Sequence, residues 1–241
     1  MRLLLSVLLF FAAPLQAQEM TEAERSTFRA EVREYLLENP EVIMEAIGIL
    51  RAREEQAKVQ ADVTMARANA DALFNDPTSF IGGNPDGDIT LVEFMDYRCS
   101  FCKRAFPETK ELLRTDGNIR YIIKEFPILG EQSELASRFA LAVRNVAGDE
   151  AYETVHDILM EFRGDVTIDS LTRLAVTVGL DPESILAEMN SPDVTNVIAT
   201  NRALAQRLQI TGTPTFVMQD QMLRGYVPLD QMQQILEAIR G

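Results

Sequence analysis

Two cysteines make up the thiol inventory of this 241-residue chain, and they stand three positions apart, at Cys99 and Cys102. Thiolates attack disulfides and bind soft metals, so the spacing opens two chemistries, thiol–disulfide exchange and metal ligation. A structural staple is a poor explanation, because so short a loop constrains the unfolded chain very little. Zinc would need two more ligands of the Cys or His kind, and the chain offers one histidine, His156. No metal and no other cofactor is therefore expected, although copper held by the two thiolates stays open as the alternative. Exchange needs a nucleophile and a second thiol that resolves the mixed disulfide. Cys99 takes the first role and Cys102 the second.

The surrounding pattern says how the pair is held. Ile89 to Asp96 reads as a strand, Cys99 to Leu113 as an amphipathic helix and Ile119 to Phe126 as a second strand, which together make a β-α-β unit. Cys99 then lies at a helix N-terminus, where unpaired backbone N–H groups and the helix dipole favour a thiolate. Glu93 alternates with Leu91 and Met95, so it is a buried carboxylate able to take the proton of Cys102. Lys124, on the neighbouring strand, is either its partner or a solvated cation. His156, on a helix, is structural or exposed rather than catalytic. Helical periodicity fills about 131–208, broken by Gly148, Gly164 and Gly179. Pro214 follows at the start of a strand, Thr215 to Gln219, where a missing N–H is tolerated. A second strand, Met222 to Gly225, and a helix carrying Leu229, Met232, Leu236 and Ile239 end the chain.

Upstream, Arg2 precedes the apolar run Leu3 to Ala13 and then Leu15-Gln16-Ala17, the form of a cleaved signal peptide over residues 1–17. That run is too short to span a bilayer core of about 30 Å, so export to an oxidising compartment without stable membrane insertion is expected. Residues 18–76 are rich in Ala, Glu, Arg and Gln and read as a helical arm, divided at Asn39-Pro40. Val59, Val63, Ala66, Ala70 and Leu73 form a short heptad-like seam. It suits a homo-oligomer through the arm or, alternatively, docking on the main domain. Turn residues around Pro77 place the start of a domain covering 77–241. The formal net charge of −14 disfavours nucleic acid and anionic lipid as partners.

The Cys-x-x-Cys at a strand–helix junction, with Thr213-Pro214 far downstream before a hairpin and terminal helix, resembles the thioredoxin superfamily. The long helical insert and Glu-Phe-Met-Asp-Tyr-Arg-Cys-Ser-Phe-Cys are similar to its DsbA-like branch. This resemblance implies an α/β thioredoxin fold with a helical insertion, preceded by the α-helical arm. It implies a cis Pro214 facing the cysteines, with Thr213, Pro214, Ser100 and Phe101 contacting substrate and an acid at Glu93. Ser100-Phe101 stand where the best-known members have Pro-His, so a strongly oxidising character does not carry over. Residues 28–43 also resemble the N-terminal extension of ScsC-type copper-sensitivity suppressors, in some of which it trimerises the protein and supports isomerase activity. The implied function is a periplasmic oxidoreductase that forms or isomerises disulfides in protein clients, with a redox partner to reset it. The alternative is a copper-binding envelope protein that uses the same thiolates without exchange.

Overall fold

The computed structural model describes residues 20–241; the signal-peptide expectation at 1–17 lies outside them. The chain divides into two compact units, one ending at Glu55 and one beginning at Gln56. In the first, helix α1 (Glu22–Glu38) starts at a capping box between Thr21 and Glu24. Asn39 closes it, and Pro40, which has no N–H to continue the ladder, precedes helix α2 (Glu41–Ala68). Nothing in α1 is buried, and Phe28, Val32, Tyr35, Leu37 and Ile43 expose large apolar side chains.

The second unit holds the rest of α2 and everything after it. A mixed five-stranded sheet runs β1-β3-β2-β4-β5, built from β1 (Phe80–Gly83), β2 (Ile89–Met95), β3 (Ile119–Glu125), β4 (Thr215–Met218) and β5 (Gln221–Arg224). Strands β2 and β3 are parallel, with Leu91 opposite Tyr121 and Glu93 opposite Ile123. They are joined by helix α4 (Ser100–Asp116), which ends on Gly117 in the left-handed region. Between β3 and β4 lies a helical insertion of α5 (Glu131–Ala147), α6 (Asp149–Glu161), α7 (Ile168–Thr177), α8 (Pro182–Glu188) and α9 (Pro192–Arg207). Its later starts follow from sequence: Thr167, Asp181 and Ser191 cap α7, α8 and α9, the last two with proline just inside. Helix α10 (Leu229–Arg240) closes the chain.

One strand escaped the sequence reading. Gly82-Gly83 looks like a turn, yet it finishes β1, antiparallel to β3. Gly83 has φ +64° and a Cβ there would stand 2.5 Å from the carbonyl oxygen of Ile119, so close passage of two backbones explains the glycine.

The sheet buries a different core on each face. Leu91, Met95, Tyr121 and Ile123 pack with α4 and the insertion, in the cluster that includes both cysteines. Val92, Phe94, Ile122 and Val217 pack with Leu204, Leu208 and Ile210, and with Ala66 and Leu73. The heptad-like seam is therefore not one free stripe. It is interrupted at Asn69, where α2 gives way to α3 (Ala70–Phe74), and its buried members dock on the sheet of their own unit.

Candidate active site

Strand β2 ends at Met95, and Asp96-Tyr97-Arg98 turns the chain into α4 with Cys99 as N-cap residue. That turn is fixed by one buried carboxylate. Asp96 accepts from the backbone N–H of Arg98 at 2.7 Å, and its other oxygen accepts from those of Ile128 at 2.8 Å and Leu129 at 3.1 Å. Its carbonyl receives the Cys99 N–H at 3.1 Å. The loop after β3 is thereby tied to the cysteine turn, a role the sequence reading did not assign to Asp96.

Both cysteines are free and buried, and their environments push them apart. Hydrogen bonding from the Cys102 thiol leads in bringing Cys99 down to about 5; burial opposes it, and Thr213 and the N–H groups of Cys102 and Phe101 add to the lowering. Cys102 moves the other way: burial pushes its thiol far up, reinforced by the bond to Cys99 and the charge of Glu93. One thiol is made a thiolate at neutral pH and its neighbour is kept protonated. Ser100 and Phe101 lie on the surface between them, with Phe101 55% exposed.

Thr213 and Pro214 come to the same place from the far end of the insertion. The Thr213–Pro214 bond is cis, and the Cys99 thiol donates to the Thr213 carbonyl at 3.1 Å. Glu93 is 1% exposed on the face toward the thiols. Burial raises its carboxyl to about 7 against the bond from Tyr121, with the Cys99 charge adding to the rise. The Tyr121 hydroxyl donates to Oε2, while Oε1 is buried and has no partner among the described residues.

Lys124 is neither the partner of Glu93 nor solvated. It lies beside Phe94 in register, on the opposite face of the sheet, fully buried, and donates to Asp76 at 2.6 Å and to the Ala72 carbonyl at 2.9 Å. Period-two alternation separates 124 from 121 by face, and the diagonal neighbour Tyr121 fills the place expected of it.

His156 is buried and belongs to a polar cluster that sequence did not reveal. Glu125 Oε1 accepts from the hydroxyls of Tyr97 at 2.8 Å and Tyr152 at 2.7 Å, and Oε2 from Ser137 at 2.7 Å. His156 Nδ1 lies 3.0 Å from the Tyr97 hydroxyl. With the Tyr97 proton directed to Glu125, Nδ1 is assigned as the donor of a neutral ring, and burial holds the histidine down at about 3. Beside the cysteine turn, Lys103 donates to the carbonyls of Leu159, at 3.2 Å, and Phe162. Burial and the charges of Arg163 and Arg98 bring it down to about 8.

Among known families, the model of the DSBA-like thioredoxin domain matches residues 90–237. The chain belongs to that family. Its fold is the α/β thioredoxin fold with a helical insertion, and the family is one of thiol-disulfide oxidoreductases. The model of the copper resistance protein ScsC N-terminal domain matches residues 24–57. The chain is similar to a thioredoxin-like oxidoreductase from Silicibacter pomeroyi, 44% identical, TM-score 0.67, over 70% of this chain and 96% of the other. It is similar to Proteus mirabilis ScsC in a transitional conformation, 30% identical, TM-score 0.66, over 91% of this chain and 98% of the other. Disulfide bond formation protein D of Bacillus subtilis is 26% identical over 64% of this chain and 74% of its own length. Na(+)/H(+) antiporters also match, and of the first of these the chain spans 21–25% of the length. Among the described residues no helix is long and apolar enough to cross a membrane.

Proposed function

We propose that the protein is an exported thiol-disulfide oxidoreductase that forms or isomerises disulfides in protein clients through Cys99-Ser100-Phe101-Cys102. The observation that carries this reading is the divergence of the two thiols, Cys99 brought down to about 5 and Cys102 pushed up beside a buried Glu93. The Cys99 thiolate attacks one sulfur of a client disulfide, that S–S bond breaks, and the other client sulfur leaves as a thiolate. Cys102 gives its proton to Glu93 and attacks Cys99 Sγ. The mixed disulfide breaks, the client leaves reduced and the Cys99–Cys102 pair is oxidised; run in reverse, the same steps donate a disulfide. Ser100, Phe101, Thr213 and Pro214 contact the client, and a separate redox partner resets the pair. Cys99→Ser is expected to abolish dithiol-dependent insulin reduction, and full retention would overturn the reading.

The arm over residues 18–76 serves assembly, a reading supported by the exposed apolar side chains of α1 and by the ScsC-type match. Removing residues 18–55 is expected to abolish oligomers and scrambled-ribonuclease refolding together; survival of both would leave a simple donor of disulfides. Export rests on residues 1–17 and is tested by N-terminal sequencing of the periplasmic protein. A second reading, Cu(I) sequestration without exchange, is favoured by the copper-resistance character of that matched model. It predicts tight Cu(I) binding lost in Cys99→Ser and Cys102→Ser, with negligible insulin reduction by the wild type.

A further inference from the structure

The segment that brings Thr213 to Cys99 is closed at both ends by a single residue outside it. Arg224, the last residue of β5, pairs with Thr215 in the sheet, and the next N–H, of Gly225, donates to the Pro214 carbonyl at 2.9 Å. The side chain of the same arginine reaches the other end. Its Nη1 donates to the Gln209 carbonyl at 2.7 Å and its Nη2 to the Leu208 carbonyl at 3.1 Å.

Those two carbonyls belong to the end of α9. Leu208 is the C-cap, Gln209 follows at φ +52°, and Ile210 N–H returns to the Ala205 carbonyl at 2.8 Å. Glycine is the usual residue in that left-handed position, and a side chain there carries strain that surrounding bonds must offset. The arginine supplies them because its fork is itself held. Nη2 donates to Asp62 Oδ1 at 2.7 Å and Nε to Oδ2 at 3.3 Å, with Asp62 7% exposed on α2. A second pair of reversed polarity, Arg67 of α2 with Asp220 at 2.6 Å, also joins that helix to the β4–β5 hairpin.

We propose that Arg224, oriented by Asp62, is a positioning residue for exchange: it sets the path of residues 209–213 and hence the place of the Thr213 carbonyl against Cys99. The inference rests on the exchange role given to Cys99 above.

The test compares two variants of the full chain. Asp62→Asn and Arg224→Gln remove the same ion pair, but only the second also removes the bonds to Leu208 and Gln209. Each is measured well below its Tm by kcat/KM on a disulfide-bonded peptide and by titration of the Cys99 thiolate at 240 nm. Arg224→Gln is expected to lose about tenfold in kcat/KM, the value of one charge-assisted bond, with the midpoint of the thiolate titration displaced from that of the wild type. Asp62→Asn should lose less, within about threefold and with a smaller displacement of its titration, since asparagine still offers the fork one oxygen and Arg224 keeps both carbonyl bonds. Equal losses in the two variants, or wild-type behaviour of Arg224→Gln, would overturn the proposal. If Arg224→Gln does not fold, Arg224→Lys replaces it: lysine keeps its charge by Asp62, cannot span both carbonyls, and should show the same loss. A wild type without exchange would strike the catalytic reading instead, and the thiolate titrations would still decide this one.

Discussion

Two carboxyl groups lie fully buried on the same face of the sheet, and both are raised to about 7 chiefly by burial, yet they are built for different ends. Glu125 is saturated by three hydroxyl donors from Tyr97, Tyr152 and Ser137. Glu93 has one donor, Tyr121, and a bare oxygen. A buried acceptor with both oxygens committed fixes its neighbours and has little left to offer. One left half-bonded in the interior is costly, and that cost is retained where a proton must come and go. The degree of hydrogen-bond saturation, more than the raised pKa, separates Glu125 from the acid that the proposed mechanism uses.

The sharpest break of this comparison is one substitution made at both places. Glu125→Leu strands three buried hydroxyls at about 1–3 kcal/mol each, so chemical denaturation should show a loss of at least about 3 kcal/mol. Glu93→Leu strands one hydroxyl and removes a buried acid, so above pH 7 it should lose little stability or gain some.

Next in size is the effect on rate. Glu93→Gln removes the proton acceptor and is expected to slow release of the mixed disulfide by about 100-fold at pH 7, the lower range of general-base contributions; stopped-flow thiol release checks it. Formation of the mixed disulfide by Cys99 should be unaffected.

The pH profiles follow. In the proposed mechanism Glu93 acts as a base only when ionised, so release by the wild type should rise with pH and level near 7, and Glu93→Gln should lack that inflection. Stability moves oppositely. Burial holds the folded carboxyl near 7 against an ordinary value of 4.5, so the folded state binds the extra proton between those values and its stability falls as pH rises through them. Glu93→Gln should therefore gain on wild type from pH 4.5 to 7 and be level with it below.

The smallest change is expected from Tyr121→Phe. Losing the donor that favours the carboxylate moves the inflection in release to higher pH while keeping it, and the same profile measures it.

How far this comparison could be seen in the sequence depends on the range of the interactions. Cys99, Cys102 and the face of Glu93 follow from local spacing and period-two alternation. Thr213-Pro214 is legible only through resemblance, since nothing local marks a proline as lying against a cysteine over 100 positions away. Tyr121 needed the parallel register of β2 and β3, and without it Lys124, one conspicuous charge on that strand, was left as either partner or solvated cation, and it is neither. The Glu125 cluster gathers residues from the cysteine turn, β3, α5 and α6, so no window along the chain contains it. Strand β1 was lost because glycine signals a turn wherever the reason for it, here the Ile119 backbone, lies elsewhere in the chain.

The Lys124–Asp76 pair sets a limit on how the molecule can be divided. A fragment starting at residue 77 would keep an ammonium sealed beneath the sheet while discarding both of its acceptors, Asp76 and the Ala72 carbonyl. Limited proteolysis that spares the fold must therefore stop before Ala72, and the smallest self-standing redox module carries the closing turns of the arm with it.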